Sequence, residues 1–227
     1  MKLINILFLV SLFLFSCTRS NKKANDAYET DYQFGRDTLM QLTPDTQLIQ
    51  DTIIDADYTF EEAMEGTLAP KDVIEMLELV EVIYLSTDGK IHKGQFVTNK
   101  SIADDIRSIF EFMLNEGFVV EKAIPMVKYG WNDSLSMDDN NSYSFCYRNI
   151  SYSKHANGMA IDLNPKFNPL RYKYEDRPNE PRGAVLDTTV NGTLYPGHPV
   201  VEKFIRKGFR WGHTFSRFYD DHHFEKR

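Results

Sequence analysis

His155 and Asp162 stand seven positions apart in SKHANGMAIDLNP, residues 153–165, with Asn157-Gly158 between them. An imidazole and a carboxylate are two of the donors that zinc takes, and a catalytic zinc site uses three protein ligands and keeps one position for water. Asn-Gly permits a tight turn, so the residues flanking it can face each other across a short gap. A hairpin that happens to carry two polar residues satisfies the same spacing. The metal reading needs a third ligand, and Asp220-Asp221-His222-His223-Phe224-Glu225 offers His222 or His223. A ligand so far along the chain is expected when a metal ties separate strands together. Hydrolysis also needs a group that accepts a proton and passes it to the leaving amine, and Asp220, three residues before His223, is placed for it. His222 or Asp221 could instead orient a ligand.

The elements that must position these residues follow from periodicity. Val80-Glu81-Val82-Ile83-Tyr84-Leu85 is β-rich, Asp88-Gly89 is a turn signal, and residues 91–97 offer a second strand. In SIADDIRSIFEFML, Ile102, Ile106, Ile109, Phe110 and Met113 share one helical face. Ser101 with Asp104 resembles a capping box, and Gly117 stops the helix. Residues 118–127 read as strand, 130–148 as a polar loop, and 159–163 as a short apolar strand. After a Pro- and charge-rich loop, HPVVEKFIRKGF reads as a helix with Pro199 in its first turn and Gly208 at its end. Hairpin signals favour antiparallel pairing, so the expected class is α+β, a mostly antiparallel sheet with flanking helices.

The first 17 residues, MKLINILFLVSLFLFSC, form a separate object. A lysine near the start and an apolar run too short for a comfortable membrane span mark a secretory signal. Its end, Leu14-Phe15-Ser16-Cys17, resembles a bacterial lipobox, which implies that Cys17 carries lipid and anchors the chain to a membrane of the cell envelope, facing the periplasm or exterior. An uncleaved anchor and an ordinary cleaved signal are the alternatives. Residues 18–69 read as a polar tether and N-terminal extension, with a short helix possible at 59–65, and residues 70–227 as the domain that carries the candidate metal site. Cys146 is then an unpaired thiol, expected to be buried and inert. A formal charge of −7 argues against a nucleic-acid partner.

Ser153-x-His155-x-x-Gly158-x-Ala160-x-Asp162, with Asp220-x-x-His223-Phe224-Glu225, resembles the zinc D-alanyl-D-alanine carboxypeptidase family. That family includes L-alanyl-D-glutamate endopeptidases and vancomycin-resistance D,D-dipeptidases, and its fold relatives include the hedgehog signalling domain. Residues 136–148 ending in Tyr147-Arg148, Asp162-x-Asn164-Pro165 with Asn168-Pro169, and Gly208-Phe209-x-Trp211-Gly212 are similar to further family segments. The resemblance implies a hedgehog-like D,D-peptidase fold, with His155, Asp162 and His223 as zinc ligands, His222 as the runner-up, and Asp220 as general base. It places Arg148 where a family arginine steadies the polarised carbonyl or a substrate carboxylate, and matches Ser153 to a serine that contacts substrate or braces the site. Trp211 is a candidate substrate platform, with wall or core as its alternative. The implied activity is hydrolysis of amide bonds in the peptidoglycan stem peptide. D-Ala-D-Ala is the first substrate, L-Ala-D-Glu the second, and a zinc-containing lipoprotein that binds cell-wall peptide without cutting it the non-catalytic alternative. Where many relatives have WGGDW, this chain has Trp211-Gly212-His213-Thr214-Phe215. His92 and His213 are expected at the surface, and His198 there or at a helix start.

Overall fold

A computed structural model describes residues 52–150 and 152–226. Cys17, with the expected signal peptide and residues 18–51 of the expected tether, lies outside the described residues.

The alternating apolar residues of the first strong strand signal form β2 (Leu77–Leu85), which turns at Asp88-Gly89 into antiparallel β3 (Ile91–Asn99). Nine residue pairs run in register, from Leu77↔Asn99 to Leu85↔Ile91. Val80, Val82 and Tyr84 face inward from alternate positions and are buried. Ahead of β2 lie β1 (Ile53–Ile54), helix α1 (Phe60–Ala63) and helix α2 (Lys71–Ile74). Strand β1 pairs in parallel with β3, and Thr59 and Glu62 cap α1 reciprocally. Ala63 and Met64 pack with Leu77, Val97 and Phe145, so the described part of the N-terminal extension is folded onto the same body.

Helix α3 (Ala103–Asn115) lies against the hairpin. Its Ile106, Ile109, Phe110 and Met113 are fully buried, each contributing roughly 1.5–3 kcal/mol of transfer free energy. Phe110 meets Phe96 and Tyr84 edge-on, at centroid distances of 5.1 and 6.3 Å. The capping box expected from Ser101 is not formed. Asn99 instead accepts from the Ser101 amide at 3.0 Å and starts a 3-10 turn, while Asp104 pairs with Arg107.

Two expectations change between residues 118 and 148. The long strand shrinks to β4 (Lys122–Ala123), because Pro125 has no N–H for a ladder and leads into a 3-10 turn at Met126–Tyr129. The loop contains helix α4 (Asp133–Asp138), capped by Asn132, and then β5 (Asn141–Ser142), which pairs in parallel with β4.

The remaining chain builds a second layer from short pieces. Strands β6 (Ala160–Asp162), β8 (Phe209–Trp211) and β10 (His223–Lys226) form an antiparallel sheet in the order β6-β10-β8. Strand β7 (Leu170–Tyr172) pairs with β9 (Phe218–Asp220). Helix α5 (Pro199–Arg206) starts at His198, whose side chain accepts from the Val200 amide, and buries Val200, Val201 and Phe204. Phe204 stacks on Phe224 of β10 at 3.8 Å. Ile161, Leu163, Trp211 and Phe224 join the same apolar cluster as the hairpin and α3. The class is α+β as expected, but the described strands divide into four small sheets rather than one.

Candidate metal centre

His155 sits in a 3-10 turn, Lys154–Asn157, that Gly158 closes in the left-handed region at φ 64°. Only glycine fits there, since a Cβ would lie 2.7 Å from the Asn99 amide nitrogen and 2.8 Å from Leu77 Cδ2. The Gly158 carbonyl accepts from the Asn99 amide and from Thr98 Oγ1, both at 3.0 Å, which docks the turn on the end of β3. The Asn-Gly pair therefore ends a helical turn rather than forming a hairpin. Strand β6 pairs with β10 instead, and in that ladder Asp162 stands directly opposite His223.

Three side chains then converge. His155 Nε2 lies 3.1 Å from Asp162 Oδ1 and 3.1 Å from His223 Nδ1, and His223 Nδ1 lies 2.9 Å from Asp162 Oδ1. All three residues are buried, and they form a possible metal-holding group within 4.8 Å. Donors around a tetrahedral zinc, at about 2.0–2.1 Å from the ion, are separated by roughly 3.3 Å, close to these spacings. The outward ring atoms explain which nitrogens are offered. His155 Nδ1 donates to the Ser144 carbonyl at 2.7 Å, leaving the Nε2 lone pair inward. His223 Nε2 is 3.5 Å from Glu225 Oε2, leaving Nδ1 inward. Two lone pairs and a carboxylate oxygen thus face one point, an arrangement that repels itself unless a cation or protons stand between them.

The electrostatics agree. Burial opposes charge on Asp162, but the imidazoles of His155, His222 and His223 overcome it and hold the carboxyl well below its usual range. Burial likewise opposes charge on His223, yet Asp162 and Glu225 raise its pKa to about 10. A metal held between these groups would displace the protons they favour.

His222 is not part of the converging group. Its Nδ1 donates to the Asn168 carbonyl at 2.8 Å, and its Nε2 lies 3.0 Å from Asp220 Oδ1 and 3.9 Å from Asp162 Oδ2. It stands between the candidate base and a candidate ligand; despite burial, the carboxylates of Asp220 and Asp162 raise its pKa to about 9. The approach to Asp220 is that of an ion pair without hydrogen-bond geometry, so Asp220 Oδ1 is a buried oxygen with no hydrogen-bond donor. Gly212 allows β9 to come this close, because a Cβ there would lie 2.6 Å from the Asp220 carbonyl oxygen and 3.1 Å from His223 Cβ.

Arg148 is half-buried, its Nη2 bonded to Tyr143 Oη and paired with Asp133 Oδ2, both at 2.9 Å. Burial works against its charge, but Tyr143, Asp133 and Asp162 keep it firmly cationic. Ser153 precedes the turn that carries His155, and its backbone, not its hydroxyl, accepts from the Ala156 amide. Trp211 is in the apolar core rather than at an open surface, with its indole N–H donated to the Asp221 carbonyl at 2.9 Å, so it supports the turn after Asp220 from behind.

His92 is buried, and His213 is half-buried rather than freely exposed. His92 lies between Asp55 and Asp88, 2.9 and 3.1 Å away, and so clasps the chain after β1 to the hairpin. His213 stacks on Trp211 at 4.4 Å and bonds Asp221 Oδ1 at 2.6 Å. Buried Asp221 also takes two bonds from Arg171, at 2.8 and 2.9 Å. The residue that departs from the family pattern therefore braces Asp221, next to Asp220, from within the fold. Cys146 is buried and free, and burial raises its thiol pKa to about 11, as an inert thiol requires.

Tyr143 and Asp133 have no counterpart among the sequence candidates. Both lie in the polar run before Arg148, where nothing in residue type or spacing distinguishes them.

Residues 148–226 match the family model described as D-alanyl-D-alanine carboxypeptidase. The matched span begins at Arg148 and takes in His155, Asp162, Asp220 and His223. No curated protein and no solved structure matches the chain.

Proposed function

We infer that the chain is a zinc metallopeptidase that trims peptidoglycan stem peptides, a reading supported by the match of residues 148–226 to the D-alanyl-D-alanine carboxypeptidase family model and by the convergence of His155, Asp162 and His223. The terminal D-Ala-D-Ala bond is the first substrate and the L-Ala-D-Glu bond the second. The family also implies a hedgehog-like fold, which the α+β arrangement of small, mainly antiparallel sheets supports. The lipobox-like Leu14-Phe15-Ser16-Cys17 supports a lipid anchor that holds the catalytic body at the envelope, near its polymeric substrate.

The observation that carries the reading is the convergence of His155, Asp162 and His223 beside a carboxylate oxygen of Asp220 that lacks a donor. A zinc ion held there would supply Lewis acidity and make water acidic enough to lose a proton near neutral pH. Asp220 takes that proton and returns it to the leaving amine. Its neighbour His222 steadies the carboxylate between the two roles. Arg148 pairs with negative charge on a substrate oxygen, which suits a guanidinium that stays charged at any working pH.

The test is mass spectrometry of muropeptides after incubation with detergent-solubilised, zinc-loaded full-length protein. Loss of one terminal alanine is expected, whereas scission between L-Ala and D-Glu would select the second substrate. Intact muropeptides after full zinc loading would reject the enzyme.

A further inference from the structure

We propose that Asp133 and Tyr143 are positioning residues that aim the Arg148 guanidinium at the substrate, leaving its Nε–H as the donor offered to an anionic substrate oxygen. The three side chains form a closed ring. Arg148 Nη2 donates to Tyr143 Oη at 2.9 Å and pairs with Asp133 Oδ2 at 2.9 Å, while Tyr143 Oη donates to Asp133 Oδ1. One edge of the guanidinium is thereby fixed by two acceptors that are themselves bonded to each other. Arg148 Nε is buried and has no hydrogen-bond partner among the described residues. A buried donor left unpaired beside a satisfied edge is costly, and such groups mark places where a ligand completes the bonding.

Tyr143 ties this ring to the metal centre at two further points. Its backbone exchanges both hydrogen bonds with Asp162, at 2.9 and 3.1 Å. Its ring lies against that of His155 with centroids 5.0 Å apart. One residue therefore touches two candidate ligands and the arginine, so the distance between metal and guanidinium is set through Tyr143. Asp133 closes the ring from α4, whose start is capped by Asn132. A misplacement of about 1 Å at a reacting centre can cost on the order of a hundredfold in rate, so fixing this spacing is functionally significant.

What Arg148 acts on rests on the peptidase reading, but its restraint does not, and the experiment separates the two. Full-length, zinc-loaded protein in detergent is labelled with nitrogen-15 at arginine. It is compared as wild type, Tyr143→Phe, Asp133→Asn, Arg148→Ala, and Tyr143→Phe with Arg148→Ala. Tyr143→Phe keeps the ring against His155 and removes only the hydroxyl, so it remains informative if Asp133→Asn folds poorly. A narrow, slowly exchanging Nε–H resonance, absent from Arg148→Ala, is expected in wild type. It should broaden and exchange faster in Tyr143→Phe while bound zinc stays unchanged. On stem peptides, kcat/KM should fall about 10–100-fold in Tyr143→Phe, the size usual for groups that orient a site from behind. The same change should add nothing once Arg148 is alanine. A loss confined to peptides with a free C-terminal carboxylate would identify that group as the acceptor, and an equal loss on amidated peptides would identify the scissile carbonyl oxygen. An unaltered Arg148 resonance in Tyr143→Phe, or losses that multiply in the double variant, would overturn the assignment. A protein that cuts no stem peptide fails the peptidase reading while the resonance still decides this one.

Discussion

Between β2 and β3 nine residue pairs run in register, whereas β6 and β10, which carry two of the candidate ligands, share three. The first region is held by backbone ladder and by the apolar face of α3. The second is held by side chains that stand in for backbone. Asn164 accepts from the Glu121 amide and donates to the Val119 and Gly192 carbonyls. Asn168 donates to the Leu163 and Gly192 carbonyls and accepts from the Leu194 amide. Regular pairing gives stability at low complexity, but it leaves little room to bring polar groups together. Short strands joined by asparagine-pinned turns can bury histidines and carboxylates in chosen orientations, at the expense of local regularity.

The largest effects should fall on the second region alone. His155→Ala should remove bound zinc by elemental analysis. Asp220→Ala should keep the zinc and lose about 10²–10⁴-fold in turnover of stem peptide. With wild type and variants compared metal-free, a drop of the whole fold's melting temperature comparable to a core deletion, in either variant, would break the division. In the first region, Phe110→Ala should cost about 3–5 kcal/mol in denaturant unfolding while the folded protein retains wild-type zinc affinity. Asn164→Ala, which strands several backbone partners, should cost about 1–3 kcal/mol and, unlike Phe110→Ala, should also weaken zinc binding.

The smallest effect is a pH trend. In metal-free protein, His222 and His223 hold protons with pKa values of about 9 and about 10, above the ordinary 6.5. Their stabilising contribution is complete below 6.5 and fades as pH rises through those folded values. Metal must displace the proton on His223, so the gain in melting temperature on zinc loading should grow between about pH 6 and about pH 9. A gain that shrinks over that range in calorimetry would contradict the shared site.

Legibility in the sequence follows the same division. The hairpin and α3 are visible because period-2 and period-3.6 patterns are long there. The candidate ligands are visible through motif and spacing, with His222 left only as runner-up to His223. The rest depends on contacts remote in sequence. Gly158 reads as a hairpin turn until Asn99 is seen 2.7 Å from where its side chain would be. His213 reads as surface until Asp221 is found beneath it. Tyr143 and Asp133 gain meaning only from the guanidinium they share.

The face-to-face placement of Asp162 and His223 in the β6–β10 ladder has a kinetic side. Side chains alternate along a strand, so sliding β10 by one residue would turn His223 to the face opposite Asp162. An ion gripping both partners would thus act as a frame check on strand mating. It would favour the alignment that sets His223 opposite Asp162, which matters most where only three rungs exist to prevent slippage.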